Sequence, residues 1–213
     1  MRRDQGSYLR DPAAIYRESF AAIRREVALD RLPEDLRPVA LRLIHACGMP
    51  DIVGDLAWTA DAAGSGRAAL RAGAPILVDA TMVQAGIRRS PPPDSPILCT
   101  LDDEATKTRA ATCATTRSAA AVDGWCSRLE GAVVAIGNAP TALFRLLELL
   151  ADGAPRPALV LGFPVGFIGA AEAKDALIAY RPQVAHIVLR GRRGGSAMAA
   201  AALNALLADD PLA

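Results

Sequence analysis

Residues 132–189 read AVVAIGNAPTALFRLLELLADGAPRPALVLGFPVGFIGAAEAKDALIAYRPQVAHIVL, and this stretch decides the fold. Its apolar runs are short and nearly continuous, which is typical of strands that are buried on both faces of a parallel sheet. The runs lie at residues 132–136, 158–161 and 186–189. Between them, residues 141–150 and 170–180 are rich in alanine and leucine, which favours helices. This alternation predicts βαβ units.

The same alternation continues on both sides of this stretch. Two apolar runs precede it, at residues 75–79 and 97–101, and a further helical segment follows it at residues 196–207. The proline-rich residues 90–96 indicate a stiff surface loop and not a domain boundary. We therefore predict a single α/β domain over residues 1–213, a three-layer α/β/α sandwich with a mostly parallel sheet of about five strands.

An N-terminal helical segment is predicted ahead of the sheet. Asp11-Pro12 places a proline just inside a helix start, and apolar residues recur at helical spacing until Pro33 ends the segment. A second helix tolerates Pro38 in its first turn and ends near Gly48, because glycine commonly follows the last helical residue.

The composition excludes several classes of protein. Of the 213 residues 52% are hydrophobic, which is too many for a disordered chain, and 24 basic side chains balance 23 acidic ones. A nucleic-acid-binding protein would show a basic excess. Arg2-Arg3 is followed by polar residues where a secretory signal has an apolar run, and the apolar residues 158–171 are too few for a membrane span. We expect a cytoplasmic protein without nucleic-acid or membrane partners.

The four cysteines are scattered along the chain. They form no C-x-x-C motif and have no accompanying histidine cluster, so the sequence predicts neither a zinc site nor a disulfide framework. We interpret them as lone buried thiols of a reducing compartment: Cys47, Cys99, Cys113 and Cys126.

Three predicted strands end in tight loops that open a helix. The loops lie at residues 137–141, 162–167 and 190–196, where backbone N–H groups and a positive helix end would be offered to an anion. The third loop interleaves Arg190, Arg192 and Arg193 with glycines, ahead of a helix that Ser196 is expected to cap. It predicts a cradle for carboxylate or phosphate groups, whereas the alternative is a turn with solvated surface charges.

Motifs for common cofactors and nucleophiles are absent from the chain. It contains no G-x-G-x-x-G, no G-x-x-x-x-G-K-[ST] and no G-x-S-x-G. These absences disfavour bound NAD, an ATP-driven step and a serine hydrolase, and no cofactor or metal is predicted.

Few residues are candidates for proton transfer near neutral pH. The two histidines are His45, at the end of an apolar helical segment, and His186, at the start of a strand. On the residues alone, each is more often a core histidine with a satisfied hydrogen bond. Arg117 opens a predicted helix, where the dipole disfavours a cation, so it indicates either an anionic partner or an exposed side chain. Arg88-Arg89 would extend the same basic lining.

Five segments, in this order, resemble the precorrin-8X methylmutase (precorrin isomerase) family of cobalamin biosynthesis. The resemblance runs from Tyr8 nearly to the C-terminus. Its most specific segments are Ile-His-Ala-Cys-Gly-Met at 44–49, Thr-Arg-Ser-Ala-Ala at 116–120, Gly-Asn-Ala-Pro-Thr-Ala-Leu at 137–143, Pro-Val-Gly-Phe at 164–167 and Gly-Arg-Arg-Gly-Gly-Ser at 191–196.

The resemblance implies an isomerase that needs neither metal nor cofactor. In this family a methyl group migrates from C-11 to C-12 of precorrin-8X to give hydrogenobyrinic acid, and a related reaction acts on the cobalt-containing macrocycle. The resemblance also implies a homodimer whose substrate lies in a cleft near the subunit interface. Transient contact with neighbouring pathway enzymes is a further expectation.

The resemblance assigns roles to individual residues. His45 becomes the catalytic proton donor, which reverses the interpretation from the residues alone, because protonating the macrocycle withdraws electron density and eases migration. The substrate-binding residues implied by the family are Ser19, Arg117, Asn138, Arg192, Arg193, Gly194 and Gly195.

Two other classes of function stay open at this point. The chain would be a corrinoid carrier if it bound the macrocycle without turnover, although a carrier has no need of an acid at His45. It would be a binding domain for a phosphorylated metabolite if residues 191–196 held a phosphate, although the phosphate motifs are absent. Metal-free and cobalt-containing substrates are not distinguished, since an arginine cradle serves either.

Overall fold

The structure, a computed structural model, describes residues 8–208. Within this range six strands alternate with nine α-helices. The strands are β1 Leu56–Trp58, β2 Ile76–Val78, β3 Ile97–Leu98, β4 Val133–Ile136, β5 Leu159–Gly162 and β6 His186–Leu189. The helices are α1 Pro12–Glu26, α2 Arg37–Cys47, α3 Ala62–Arg71, α4 Thr81–Gly86, α5 Glu104–Thr112, α6 Arg117–Asp123, α7 Pro140–Ala151, α8 Ala170–Ala179 and α9 Ser196–Leu206. Short 3₁₀-helices lie at Leu29–Arg31, Pro50–Asp55 and Cys126–Arg128.

The six strands form one mostly parallel sheet in the order β1-β6-β5-β4-β2-β3. Strands β2 to β6 are parallel, and β1 runs antiparallel to β6 with Leu56 opposite Leu189. The predicted mostly parallel sheet is confirmed, and β1 is the strand that the sequence analysis did not find. The observed β2 and β3 are shorter than the predicted runs at residues 75–79 and 97–101.

Alternate residues of the strands enter two separate apolar cores, because successive side chains of a strand point to opposite faces. Val133 and Ala135 pack in a core with residues of α1, α2, α3, α4 and α9, whereas Val134 and Ile136 pack with α6, α7 and α8. The sheet therefore has helices on both faces, which confirms the three-layer sandwich. Within residues 8–208, no helix has both the length and the apolar character that crossing a membrane requires.

The start of α1 and the end of α2 lie where the sequence predicts them, whereas α1 ends at Glu26, ahead of the predicted end at Pro33. The Asp11 carboxylate accepts a hydrogen bond from the Ala14 N–H at 2.9 Å at the start of α1, and Pro12 is the first helical residue. Helix α2 ends at Gly48, whose φ of 68° is the left-handed conformation that glycine adopts without strain. This end places His45 in the last turn of α2.

Two expectations on local structure are wrong. Gly195 is the N-cap of α9, and Ser196 is its first helical residue without a capping side-chain bond, so Ser196 does not cap the helix. The four cysteines are free, but Cys113 is exposed and the other three are half-buried, so they are not buried thiols. Cys113 directly follows the last residue of α5, where the chain turns toward solvent.

Candidate active site

The crevice between β2 and β4 is the point where the strand order reverses, and ligands of open α/β sheets commonly bind there. In this chain Asp79, which follows β2 and is fully buried, occupies the position. Its carboxylate accepts hydrogen bonds from the backbone N–H groups of Gly137, Asn138 and Ala139 at 2.8–2.9 Å. The expectation that this loop offers free N–H groups to an anion is therefore wrong.

Burial raises the pKa of the Asp79 carboxyl, and the three N–H bonds partly offset that rise because they favour the charged form. The carboxylate thus binds the backbone of the loop after β4 and not a ligand. Asn138 is exposed beside it, so its side chain remains accessible to a substrate.

The loops after β5 and β6 bind each other. The Gly195 N–H donates to the Phe163 carbonyl at 2.8 Å, and the Gly166 N–H donates to the Arg192 carbonyl at 3.1 Å. Gly194 lies so close that an added Cβ would be 2.3 Å from the Phe163 oxygen. The two loops form one unit, and their backbone groups are used largely to hold this unit together.

A buried lysine supports the same unit from α8. Lys174 is fully buried, and its Nζ donates to the Arg193 carbonyl at 2.7 Å. Burial lowers the pKa of Lys174 to about 8, because removal from water disfavours the ammonium form.

The arginines of the third loop do not form the predicted cradle of three. Arg190 lies 3.5 Å from Asp175, and Arg193 donates to the carboxylates of Asp51 and Asp55. These bonds raise the pKa of Arg193 and lower that of Asp51. Arg193 is therefore paired with two acids of the chain and ties the loop to its neighbours, whereas the contact of Arg190 with Asp175 is largely exposed to solvent.

Arg192 and Arg117 are exposed cations of this sheet edge. The Arg192 guanidinium carbon lies 5.1 Å from the centre of the Phe167 ring, and that ring is 88% exposed. Arg117 is the first residue of α6, as predicted, and its nearest described acid is Asp102 at 3.5 Å, with both side chains more than half exposed. A bound polyanion would find both guanidinium groups accessible.

A second group of predicted residues meets at a cavity of about 370 Å³ on the α2–α9 side of the sheet. Residues of α1, α2 and α9 and of the segment after α4 line this cavity. The lining residues are Tyr16, Arg42, His45, Ala46, Arg88, Arg89, Ala201 and Asn204. Ser19 lies behind the histidine, with its Oγ 2.8 Å from His45 Nδ1. The structure thus joins Ser19 and His45.

The His45 ring is held by aromatic contacts. Its centroid lies 5.2 Å from those of Tyr16 and Phe20, and Phe20 meets it edge-on. Burial, and next the charge of Arg42, lower the pKa of His45, so the free imidazole is neutral at pH 7. When the Ser19 hydroxyl donates to Nδ1, the imidazole carries its proton on Nε2, which is then the donor available to a ligand.

Arg42, like Tyr16 and Asn204, is a cavity-lining residue that the sequence analysis missed. It stands one helical turn before His45 on α2, and this i,i+3 spacing is the signal that would have found it. Burial, and next the charge of Arg89, lower the pKa of Arg42, which indicates that the two guanidinium groups face the same space. None of the described residues that line the cavity is acidic, so Arg42, Arg88 and Arg89 are suited to carboxylates.

His186 has a different environment from His45. It is 2% exposed, its Nδ1 lies 2.9 Å from the Val184 carbonyl, and its backbone N–H donates to Thr59 Oγ1. This agrees with the interpretation of His186 as a structural residue.

The predicted site residues therefore fall into two groups. His45 and Ser19 line or support the cavity, whereas Arg117, Asn138 and the loop at residues 191–195 lie at the carboxyl edge of the sheet. The 3₁₀-helix Pro50–Asp55 connects the groups, because it follows the end of α2 closely and carries both carboxylates that bind Arg193.

Comparison with known proteins identifies the family. The family model described as precorrin-8X methylmutase (CbiC) matches residues 14–209. A precorrin-8X methylmutase of Pseudomonas aeruginosa is 56% identical over 200 residues, which span 93% of this chain and 96% of the relative. A cobalt-precorrin-8 methylmutase of Priestia megaterium is 34% identical over 198 residues, 92% of this chain and 87% of the relative.

A solved structure agrees with these relatives. The precorrin-8X methyl mutase from Thermus thermophilus superposes with a TM-score of 0.81 at 39% identity, covering 92% of this chain and 94% of that one. The chain belongs to the precorrin-8X methylmutase family.

Proposed function

We propose that this protein is an isomerase that moves a methyl group from C-11 to C-12 of precorrin-8X and releases hydrogenobyrinic acid in cobalamin biosynthesis. The observation that carries the proposal is the His45–Ser19 pair in an arginine-lined cavity of a chain that matches this family over residues 14–209. The reaction is intramolecular: the bond from the methyl group to C-11 breaks and the bond to C-12 forms. It requires neither a methyl donor nor a redox partner.

The arginines supply the substrate contacts. A corrinoid precursor carries acetate and propionate arms, and guanidinium groups meet carboxylates with two parallel hydrogen bonds. Arg42, Arg88 and Arg89 would hold arms next to His45, while Arg117 and Arg192 would hold arms at the edge of the sheet. Asn138, Gly194 and Gly195 belong to the same edge, and Arg193 contributes by positioning the loop.

Substrate binding would also prepare His45 as an acid. The charge of Arg42 is one of the two causes that keep the pKa of His45 low. A carboxylate bound at Arg42 offsets that charge, so the pKa of His45 rises when the substrate arrives. His45 can then give a proton to the macrocycle, which withdraws electron density from the ring and eases the migration, and the neutral imidazole takes a proton back afterwards, since the product is an isomer of the substrate.

The small size of the cavity supports a homodimer. Pockets for drug-sized ligands occupy roughly 300–1,000 Å³, and the cavity of about 370 Å³ is at the small end of that range. A macrocycle with several carboxylate arms needs more surrounding protein than one chain provides there. A second copy of the chain would complete the site. A cytoplasmic location, a single domain over residues 1–213 and transient contacts with pathway enzymes stay predictions.

Among the alternatives, the metal-free substrate is preferred because the relative named for it shares 56% identity and the cobalt-precorrin relative shares 34%. The carrier is less favoured because a neutral imidazole oriented by Ser19 is a catalytic arrangement. The phosphate-binding domain is less favoured because the N–H groups of the first and third loops are partly used within the chain.

The test is the absorbance spectrum of precorrin-8X mixed with the wild-type protein and with His45→Ala. We expect conversion to the hydrogenobyrinic acid spectrum by the wild type and at least ~100-fold slower conversion by the variant, because a general acid contributes about 10²–10⁴-fold. The variant should keep its fold and bind the product. Binding without conversion by either protein would support the carrier, and conversion of cobalt-precorrin-8 alone would support the cobalt substrate.

A further inference from the structure

Asn204 on α9 uses its whole side-chain amide on the segment that follows α4. Its Oδ1 accepts from the backbone N–H groups of Arg88 at 2.9 Å and Arg89 at 3.1 Å, and its Nδ2 donates to the Gly86 carbonyl at 2.9 Å. The orientation of the amide is defined by these partners, since the opposite flip would place a donor against two donors.

The segment needs this support because it follows the end of α4 and lies outside the hydrogen-bond pattern of the helix. Helix α4 spans Thr81–Gly86 and closes with a single backbone bond from Ile87 to Gln84. The Gly86 carbonyl is one of the orphan carbonyls of the helix C-terminus, the N–H groups of Arg88 and Arg89 lie beyond the helix, and Asn204 satisfies all three. The side chains of Arg88 and Arg89 line the cavity.

Asn204 also belongs to the helix that packs against the histidine's helix. Helix α9 contacts both α2 and α4, and Asn204 lines the cavity together with His45 and Arg42. The Asn204 side chain thus connects the segment that carries Arg88 and Arg89 to the helices that surround His45.

We propose that Asn204 is a positioning residue for the substrate: it fixes the backbone at Arg88 and Arg89 so that their side chains meet carboxylate arms beside His45. The inference rests on the proposed function, because it needs an anionic substrate in this cavity. It concerns binding and not the chemical step, since Asn204 acts through the two arginines.

Steady-state kinetics of Asn204→Ala test this role. We expect KM for precorrin-8X and Kd for hydrogenobyrinic acid to rise about tenfold, which corresponds to roughly 1.4 kcal/mol, with kcat within about twofold of the wild type. Asn204 is half-buried, so water can replace the lost bonds and the variant should fold. Asn204→Leu, which has a similar shape but no polar atoms, should give the same KM effect.

A double-mutant cycle separates positioning from a general loss of stability. In the background of Arg88→Met and Arg89→Met together, adding Asn204→Ala should change KM less than about twofold, because the groups that it positions are gone. Thr59→Val is the matched control: it removes one side-chain-to-backbone bond, to His186 N–H, at the far edge of the sheet, and should leave KM unchanged.

Each other outcome overturns the inference. A KM effect of Asn204→Ala that persists at full size in the arginine-free background, or a fall in kcat at constant KM, would remove the positioning role. An unchanged KM in an active protein would remove it while leaving the proposed function intact. A wild-type protein that neither binds nor converts corrinoids would remove both.

Discussion

Ser19 is the residue that determines how the imidazole of His45 presents its proton. The two side chains come from different helices, 26 positions apart, and their contact of 2.8 Å occupies Nδ1. A hydroxyl at this place orients the ring and leaves Nε2 for the ligand. The pair therefore acts together, and removing the hydroxyl should alter the chemistry more than the binding.

Ser19→Ala should lower kcat about tenfold with little change in KM, because one net hydrogen bond of roughly 1.4 kcal/mol no longer orients the imidazole. Steady-state kinetics with precorrin-8X measure this split. Ser19→Thr keeps the hydroxyl and should retain most of the activity. A kcat equal to that of the wild type would show that the bond has no part in the reaction.

Binding of hydrogenobyrinic acid should be accompanied by proton uptake between about pH 6.5 and 7.5. The pKa of His45 in the free protein lies below its ordinary 6.5, so the ring is mostly neutral there. Carboxylates bound at Arg42 raise that pKa, and the complex takes up a fraction of a proton. Calorimetry in buffers of different ionisation enthalpy measures the uptake.

His45→Gln is the control for proton uptake, because it retains polarity and cannot titrate in this range. Its complex should take up almost no protons at pH 7. The same uptake in wild type and variant would assign the proton to another group and remove the ligand-dependent acid.

At the residue scale, the types of residue in the candidate site could be predicted from the sequence, whereas the residues that pair with them could not. Ser19 contacts His45, and Arg117 begins a helix as the sequence predicts, while the roles of these residues toward a substrate stay predictions. Arg193 does not bind as a free cation because Asp51 and Asp55, 142 and 138 positions earlier, fold against it. Such long-range ion pairs leave no local pattern in a sequence.

At the element scale, the loops after β5 and β6 are held together by an approach that only glycine permits. A Cβ at Gly194 would lie 2.3 Å and 2.7 Å from the carbonyl oxygens of Phe163 and Pro164, which are backbone atoms and cannot swing aside. The unit that carries Arg192 therefore depends on this residue. The glycine-rich loop is adapted to a close contact within the chain.

Gly194→Ala should reduce the free energy of unfolding by roughly 2 kcal/mol or more, because the loops must separate. Urea denaturation followed by circular dichroism measures the loss. Gly191→Ala is the matched control: its φ is 73°, but no atom lies within 4 Å of an added Cβ, so the expected loss is about 1 kcal/mol. Equal losses would mean that the contact at Gly194 is easily relieved.

Most elements could be predicted because periodicity and capping signals are local. The helices that begin at Pro12 and Arg117 follow such signals, and so do the three buried strands β4, β5 and β6. Strand β1 was missed because Leu56–Trp58 is three residues long and gains its strand conformation from pairing with β6, far along the chain. The bonds to Asp79 were missed for the same reason, since its partners lie 58–60 positions later.

At the scale of the whole molecule, the two groups of arginines suggest a substrate that spans more than one cavity. His45 and its three arginines lie on one side, and Arg117 and Arg192 lie at the edge of the sheet. The overall charge of +1 is nearly balanced, so affinity for a polyanion must come from these local clusters and not from the field of the whole protein.

We expect the protein in solution to have about twice the mass of the 22.2 kDa chain. Sedimentation equilibrium at micromolar concentration measures this mass. Activity per chain should fall on dilution below the dissociation constant of the dimer, because each site would lose part of its wall. A monomer with full activity at all concentrations would show that one chain completes the site alone.

The two outer strands of the sheet have a consequence for solubility. Strand β1 has three residues and β3 has two, and Pro96, which lacks an N–H donor, directly precedes β3. Long flat edges invite pairing with strands of other chains and lead to aggregation, whereas short edges and prolines discourage it. A pathway enzyme built in this way can accumulate in the cell with little tendency to polymerise through its sheet.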